Sequence, residues 1–198
     1  MFTQGTRPAP LAPTGYALAT DVRAAVVGYH EAVCSPRVLD DDALVGATYD
    51  LLAERSQRSI SLDEWTRRLL EDRIRELQVR LEVVGERLAE RRRWWDRRRP
   101  VGVQPMLDHR NGIRVIEVDL TMVDPRTAAA SAVLVLGDQP LRLTGPCWWV
   151  FEGGRWAATE CPVGPAAAAE FGFPEQAEGT GYRWVLSDGG GWEETRRF

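Results

Sequence analysis

The chain has 198 residues, of which 44% are hydrophobic and 27% charged, a balance typical of a globular protein with its own core. Its formal net charge of −4 excludes a general affinity for nucleic acid, so any polyanion binding has to come from a local patch. All 25 basic residues are arginine, which a GC-rich coding sequence explains more simply than 25 separate needs for a guanidinium group.

The N-terminal residues 1–19 are rich in Pro and Ala and lack the apolar core of a signal peptide, so we predict a flexible arm. No window holds about 18 uncharged apolar residues, so we expect no membrane span and a cytoplasmic protein. The cysteines Cys34, Cys147 and Cys161 have no CxxC spacing and indicate neither a metal site nor a disulfide framework. No cofactor is implied.

Two helices are predicted before residue 61. The first follows the candidate N-cap Thr20 and places Tyr29 on its apolar face. The second opens at Asp40-Asp41 and continues with apolar residues at helical spacing until Ser59.

The third predicted helix is the longest and covers residues 62–99. It begins at the capping box Ser61-Leu62-Asp63-Glu64, with Ile60 and Trp65 at the positions of a hydrophobic staple, and it stops before Pro100. Its apolar residues recur at alternating steps of four and three, the heptad pattern of a coiled coil. These residues are Leu70, Ile74, Leu77, Leu81, Val84, Leu88 and Trp95.

After Pro100 the hydrophobic pattern alternates, which predicts an antiparallel meander. The predicted strands cover residues 101–109, 113–123, 128–136, 141–152 and 155–159. In the second strand we assign Ile116 and Val118 to the buried face, and Val115 and Asp119 to the polar face. Residues 163–198, although able to form one more hairpin, are treated as a C-terminal appendage.

This order of elements resembles the NTF2-like (SnoaL-like) cone-fold superfamily over residues 20–162. The likeness rests on the Tyr of the first helix and on the hairpin sequence WWVFEGGRW from Trp148 to Trp156. It implies an α+β fold in which three N-terminal helices, the third one long, pack on a curved antiparallel sheet. The family includes isomerases, dehydratases, cyclases and epoxide hydrolases, and also domains that only bind partners, so the fold alone does not decide the function.

The resemblance also implies candidate catalytic residues. In the ketosteroid-isomerase branch a helix-one Tyr donates to a developing oxyanion, and Tyr29 occupies a similar place. Asp108 or Asp119 would supply the carboxylate of an acid–base pair if the strand face that carries them lines the cone. A core Tyr and a half-exposed polar strand explain the same residues without any chemistry.

The end of the third helix is the most unusual surface. Six arginines and one aspartate give residues 91–99 a charge of +5, so the rest of the chain carries −9. Arg and Trp dominate binding hot spots, which favours a partner-binding surface there, although packing within the chain explains it equally well. The predicted partner-binding residues are Arg91, Arg92, Arg93, Trp94, Trp95, Arg97, Arg98 and Arg99.

The heptad charges narrow the choice of partner. With Ile74 at position a, the g positions are all arginine, and a parallel homodimer would pair them with Gln, Gly or Arg. Charge therefore disfavours simple self-pairing and leaves the chain's own sheet and helices, or an acidic partner, to cover the heptad seam. Nucleic acid is disfavoured too, because the acidic remainder would make its binding weak and sensitive to salt.

The sequence as a whole favours a non-enzymatic interaction module that docks a protein partner, or another copy in a homo-oligomer, through the third helix. The alternative is a SnoaL-like enzyme that acts on a small hydrophobic ligand in the cone. That enzyme would use Tyr29 with Asp108 or Asp119.

Overall fold

The computed structural model describes residues 15–94, 113–136 and 139–197, which form helices and one antiparallel sheet. The α+β fold class and the antiparallel sheet are thus confirmed. The helices are α1 (Gly15–Val33), α2 (Asp42–Tyr49), α3 (Glu54–Ser59), α4 (Leu62–Trp94) and α5 (Pro165–Phe171). The strands are β1 (Ile113–Asp124), β2 (Thr127–Leu136), β3 (Gln139–Leu143), β4 (Cys147–Glu152), β5 (Arg155–Pro162), β6 (Thr180–Leu186) and β7 (Trp192–Arg197).

Helix α1 begins at Gly15, so residues 15–19, the last part of the predicted arm, are helical. Ala19 is fully buried and extends the inward-facing row of Val22 and Tyr29. The predicted N-cap Thr20 lies inside the helix, and its hydroxyl donates to the carbonyl oxygen of Tyr16 at 3.0 Å. A Thr that bonds back within a helix is indistinguishable from a cap by residue type alone.

Four helices rather than three precede the sheet in the described residues, because the predicted second helix is interrupted after Tyr49. The interruption brings residues 51–53 alongside β5. The amide of Ala53 donates to the carbonyl oxygen of Ala158 at 2.7 Å, and the amide of Ala158 donates to the carbonyl oxygen of Leu51 at 3.1 Å. Leu52 is fully buried between these two bonds. In a continuous helix the same backbone groups would bond within the helix, so the helix has to end before them.

The strands lie in the order β5-β4-β2-β1-β6-β7, and β3 pairs with the remaining end of β2. The predicted strand over 141–152 is therefore two strands, β3 and β4. Thr144 lies between them and keeps the contact with β2. Its amide donates to the carbonyl oxygen of Ala132 at 2.9 Å, and its hydroxyl accepts from the Ala132 amide at 2.8 Å.

A bulge in β1 changes the predicted assignment of faces. The register against β2 shifts between Val115 and Glu117, so Ile116 has no partner. Val115 is consequently buried beside Val118, whereas Ile116 is only half-buried. The prediction for Ile116 and Val115 was wrong, because a bulge inserts one residue and reverses the alternation before it.

The C-terminal residues 163–198 are not an appendage in the structure, because β6 pairs with β1 and extends the main sheet. Tyr182 and Trp184 of β6 are buried, and their rings stack at 5.3 Å. The guanidinium of Arg23 in α1 lies 5.4 Å from the ring of Trp184 and 5.5 Å from the ring of Trp192 in β7. The C-terminal hairpin is thus packed against the first helix.

The sheet has two different faces. Helices α1 and α2 and the start of α4 cover the inner face, where they form the main hydrophobic core. On the outer face, α5 and the loop after it cover the β4–β5 side, where Trp148 and Phe173 stack at 5.0 Å. Within the described residues no helix is both apolar and long enough to cross a membrane.

Candidate functional site

A cavity of about 580 Å³ lies between the C-terminal part of α1, the first half of α4 and one end of the sheet. Its apolar walls are formed by Val33, Val38, Trp65, Leu69, Ile113 and Leu134. Pockets that bind small organic molecules have volumes of about 300 to 1,000 Å³ and mostly apolar walls with a few polar groups. The cavity therefore has the size and lining of a small-molecule site.

Tyr29 brings a buried hydroxyl to this cavity, with only 4% of the residue's surface exposed. Its hydroxyl donates a hydrogen bond to the Glu160 carboxylate, and its ring packs edge-to-face on Trp149 at 5.6 Å. Burial raises the pKa of Tyr29 well above its ordinary value, and the nearby charge of Glu160 raises it further. The phenol consequently keeps its proton at neutral pH.

Glu160 has a strained backbone. It is the only non-glycine residue with a positive φ, +53°, in the part of the chain that the structure describes. The left-handed conformation costs a residue with a Cβ about 1–2 kcal/mol. Such strain is concentrated at functional sites, and here it accompanies a carboxylate that points at the Tyr29 hydroxyl.

Glu160 lies at a bulge in the pairing of β4 and β5, and its neighbours hold this bulge in place. The β4–β5 register shifts between Cys147 and Trp149, opposite this segment. The Thr159 hydroxyl donates to the carbonyl oxygen of Trp148 at 2.7 Å and accepts from the Cys161 amide at 3.2 Å. These buried bonds fix the residues on both sides, so the direction of the Glu160 side chain is set by the fold.

The α4 residues that line the cavity include charged ones, and these form ion pairs with other residues of α4. Arg73 pairs with Glu76 at 2.6 Å, and Arg75 pairs with Asp72 at 2.9 Å. On the opposite wall, the described residues provide no cation that pairs with Glu160. Its carboxylate is therefore the charge of this cavity that lacks a counter-ion within the described chain.

Two thiols also line the cavity. Cys34 at the end of α1 and Cys147 at the start of β4 lie close enough to Tyr29 to affect its pKa. Cys161 is buried on the outer face of the sheet instead. Among the residues described, no group of three or more His, Cys, Asp or Glu side chains is arranged to hold a metal ion.

The structure brings together only part of the predicted catalytic set. Tyr29 lines the cavity, but Asp119 lies on the outer face of the sheet, where Arg183 binds both of its oxygens at 2.5 and 2.6 Å. Asp108 falls outside the described residues. Glu160 was missed because the predicted strand ended at Thr159, and the only signal was a charged residue directly after the five residues of that strand.

A second candidate surface lies on α4. Four apolar side chains, here named the α4 stripe, stay exposed: Leu70 by 49%, Ile74 by 48%, Leu77 by 40% and Leu81 by 64%. The α4 side chains that face the body are Trp65, Leu69, Arg73 and Glu76. At about 100° per residue, this row lies roughly a third of a turn from the α4 stripe. The described residues of the heptad seam are thus exposed, and α4 buries a different row of side chains against the described body.

The predicted Arg/Trp cluster lies at the end of α4. Residues 91–94 form its last turn, whereas Trp95 and the arginines at 97–99 fall outside the described residues. Closer to the helix start, Arg67 pairs with Glu64 at 2.7 Å and also with Glu71. The arginines that are in excess over carboxylates therefore belong to the C-terminal part of the helix.

Comparison with protein-family models, curated proteins and solved structures finds no match to this chain.

Proposed function

We propose that the chain is a non-enzymatic interaction module that docks an acidic, amphipathic protein segment on the α4 stripe. The observation that carries the proposal is the exposure of four large apolar side chains in one row of a helix. Exposed apolar patches of this kind mark interaction sites, and a helical row with heptad spacing suits a partner helix. The resemblance to NTF2-like domains, some of which only bind partners, remains part of this proposal.

The free energy that burial of the α4 stripe can supply is too small for a micromolar complex, so charge has to contribute. Full burial of a large apolar side chain is worth about 1.5–3 kcal/mol, so four half-exposed ones offer roughly 3–6 kcal/mol. A micromolar complex needs about 8 kcal/mol, before any cost of ordering the partner. The remaining free energy is assigned to the arginines towards the C-terminal end of α4.

An acidic partner fits this helix better than a second copy does. Towards the C-terminal end of α4, the positions that flank the seam carry Arg80 and Arg87 on one side, and a second copy would present arginine again or uncharged residues there. A partner helix with glutamates beside its apolar row would pair with these arginines. Complementary charge of this kind sets the choice of partner and speeds association.

A synthetic peptide provides the test. The probe is a labelled heptad peptide with Leu at positions a and d and Glu at e and g, and its twin carries Arg at e and g. We expect the glutamate peptide to bind the full chain about tenfold tighter than its twin in fluorescence anisotropy, with an affinity that falls as salt rises.

Matched variants locate the binding. Ile74→Gln combined with Leu81→Gln removes two stripe side chains without a change of charge, and we expect it to abolish binding of the glutamate peptide. Arg75→Gln combined with Glu82→Gln changes two exposed residues away from the stripe and should leave binding intact. Equal affinity for both peptides, or full binding by the stripe variant, contradicts the proposal. A dimer in light scattering that the stripe variant converts to monomer assigns the surface to a second copy instead.

The second candidate function is acid–base chemistry on a small hydrophobic molecule in the cavity. The specific observation in its favour is the contact between Tyr29 and Glu160 inside a pocket of suitable volume. Glu160 would take the carboxylate role that the sequence assigned to Asp108 or Asp119.

This second candidate predicts turnover of small epoxides or enones by the full chain. Glu160→Gln keeps the shape of the side chain but removes its basicity, so it should abolish that turnover. Activity that survives in the Glu160→Gln variant, or no activity of the wild-type chain on either class, rejects this candidate without affecting the docking proposal.

A further inference from the structure

The charge of the cavity indicates which chemical class binds there. We propose that the cavity binds a small hydrophobic amine, whose ammonium group pairs with the Glu160 carboxylate. The proposal rests on the same cavity as the second candidate function. It is independent of the α4 stripe, which lies on another face of that helix.

The described residues around the cavity carry more negative than positive charge. Among the described residues, the cavity lining contains three arginines, Arg68, Arg73 and Arg75, against the four carboxylates Glu71, Asp72, Glu76 and Glu160. The arginines pair with carboxylates of their own helix, at 3.1 Å for Arg68 with Glu64. The excess negative charge therefore sits on Glu160, opposite that helix.

Tyr29 already uses its hydroxyl proton in a hydrogen bond. Its hydroxyl donates to the Glu160 carboxylate, and a hydrogen bond to a charged acceptor is stronger than one to a neutral carbonyl. The phenol proton is already used in this hydrogen bond and is therefore not donated to a ligand. An anionic ligand would meet no unpaired guanidinium among the described lining residues, whereas a cation meets the Glu160 carboxylate.

The apolar walls of the cavity indicate what the rest of the ligand is. The apolar side chains of the described lining are mainly aliphatic, and the rings of Tyr29, His30 and Trp65 also line the cavity. The Trp65 ring is fixed, because its Nε1 donates to the Thr48 hydroxyl at 3.0 Å. A cation near fixed aromatic and aliphatic walls selects an amine that carries an apolar group.

The test compares three probes of nearly the same shape: benzylammonium, benzyl alcohol and benzoate. We expect calorimetry or ligand-observed NMR on the full chain at pH 7 to show benzylammonium binding most tightly and benzoate most weakly. Because Glu160 is solvent-accessible, Glu160→Gln should weaken benzylammonium about fivefold and leave benzyl alcohol unchanged. Glu175→Gln, a change in an exposed carboxylate of the α5–β6 loop, should change neither.

Three results would overturn the proposal: benzyl alcohol or benzoate binding as tightly as benzylammonium, Glu160→Gln without effect, or none of the probes binding up to its solubility limit. If the Gln variant does not fold, Glu160→Gly serves instead, since glycine adopts a φ of +53° without strain. The stripe variant Ile74→Gln with Leu81→Gln should bind benzylammonium like the wild-type chain, which separates this result from the docking proposal.

Discussion

Tyr29 and Glu160 each carry a free-energy cost that their hydrogen bond offsets. A buried hydroxyl without a partner costs about 1–3 kcal/mol, and the positive φ of Glu160 costs about 1–2 kcal/mol. A hydrogen bond to a charged acceptor contributes about 1.5–3 kcal/mol. The stability effects of the two residues should therefore be coupled.

A double-mutant cycle measures this coupling. In the wild-type chain, Glu160→Gly leaves the Tyr29 hydroxyl without an acceptor, so we expect a net loss of about 1 kcal/mol in the free energy of unfolding. In a Tyr29→Phe background no hydroxyl remains, and Glu160→Gly should stabilise the protein by about 1 kcal/mol through relief of strain. Urea unfolding checks both values. The same sign in both backgrounds would show that the two residues act separately.

The raised pKa of Tyr29 predicts a dependence of stability on alkaline pH. Unfolded tyrosine loses its proton near pH 10, whereas buried Tyr29 keeps it, so the folded state binds more protons above that pH. The wild-type free energy of unfolding should therefore fall by up to about 1.4 kcal/mol per pH unit relative to Tyr29→Phe. Thermal unfolding at pH 8 and pH 11 measures the difference, and identical slopes for the two proteins would refute it.

Residue spacing was enough to predict that Tyr29 faces the interior. It was not enough to predict Glu160. The bulge that turns its carboxylate towards the cavity depends on bonds from Thr159 to Trp148 and from Ser56 to the Thr159 carbonyl. Ser56 is far from Glu160 along the chain, and no local pattern records such a contact.

Among the elements, α4 has the clearest local signals. It begins at Leu62, as the capping box predicts, and the Glu64 amide donates to the Ser61 hydroxyl oxygen at 3.2 Å. Ile60 and Trp65, the predicted staple, are both buried in the main core. Over its 33 residues, at 1.5 Å each, the helix is about 50 Å long.

Two substitutions, one of a serine and one of a threonine, distinguish the stabilising effect of the N-cap from that of a hydroxyl inside the helix. Ser61→Ala removes the side-chain acceptor at the N-cap and should lower the free energy of unfolding by about 1 kcal/mol. Thr66→Ala also removes a hydroxyl, which donates to the Leu62 carbonyl oxygen, but it improves helix propensity and should be neutral or slightly stabilising. Circular dichroism during urea unfolding compares them. Equal losses for the two variants would mean that Ser61 does not act as a cap.

Elements that depend on distant partners were predicted less well. The second helix divides because Leu52 and Ala53 bind β5, and the faces of β1 reverse at Ile116 because of its bulge. The first effect arises from pairing between Leu52 and Ala158, which are more than 100 residues apart in the sequence, and the second from a register shift between the neighbouring strands β1 and β2. Local periodicity holds no signal for either. Helix starts are local, and this explains why α4 was placed correctly.

At the scale of the molecule, the C-terminal hairpin completes the sheet. Arg23 joins it to α1, because its guanidinium lies near the rings of Trp184 and Trp192. Loss of water around the cation lowers the pKa of Arg23, which is consistent with partial burial between two aromatic rings. The Gly- and Pro-rich composition before β6 predicted an appendage, since composition does not reveal which strand edge a later segment will join.

Arg23→Gln tests this connection. Cation–π contacts that are partly desolvated contribute about 1–2 kcal/mol, so the free energy of unfolding of the variant, measured with urea, should be lower by that amount. Arg37→Gln, which changes an exposed arginine beyond the end of α1, is the matched control and should have almost no effect. Equal stability of the two variants would show that the hairpin does not depend on Arg23.

The docking of an acidic segment on the α4 stripe is most directly tested by hydrogen–deuterium exchange of the full chain, with and without the glutamate heptad peptide. The proposal predicts slower exchange of the α4 amides over residues 70–81 when the peptide is bound, with little change in β6 and β7. Unchanged exchange over residues 70–81 at a saturating peptide concentration, or protection confined to the parts of α1, β4 and β5 that line the cavity, would contradict it.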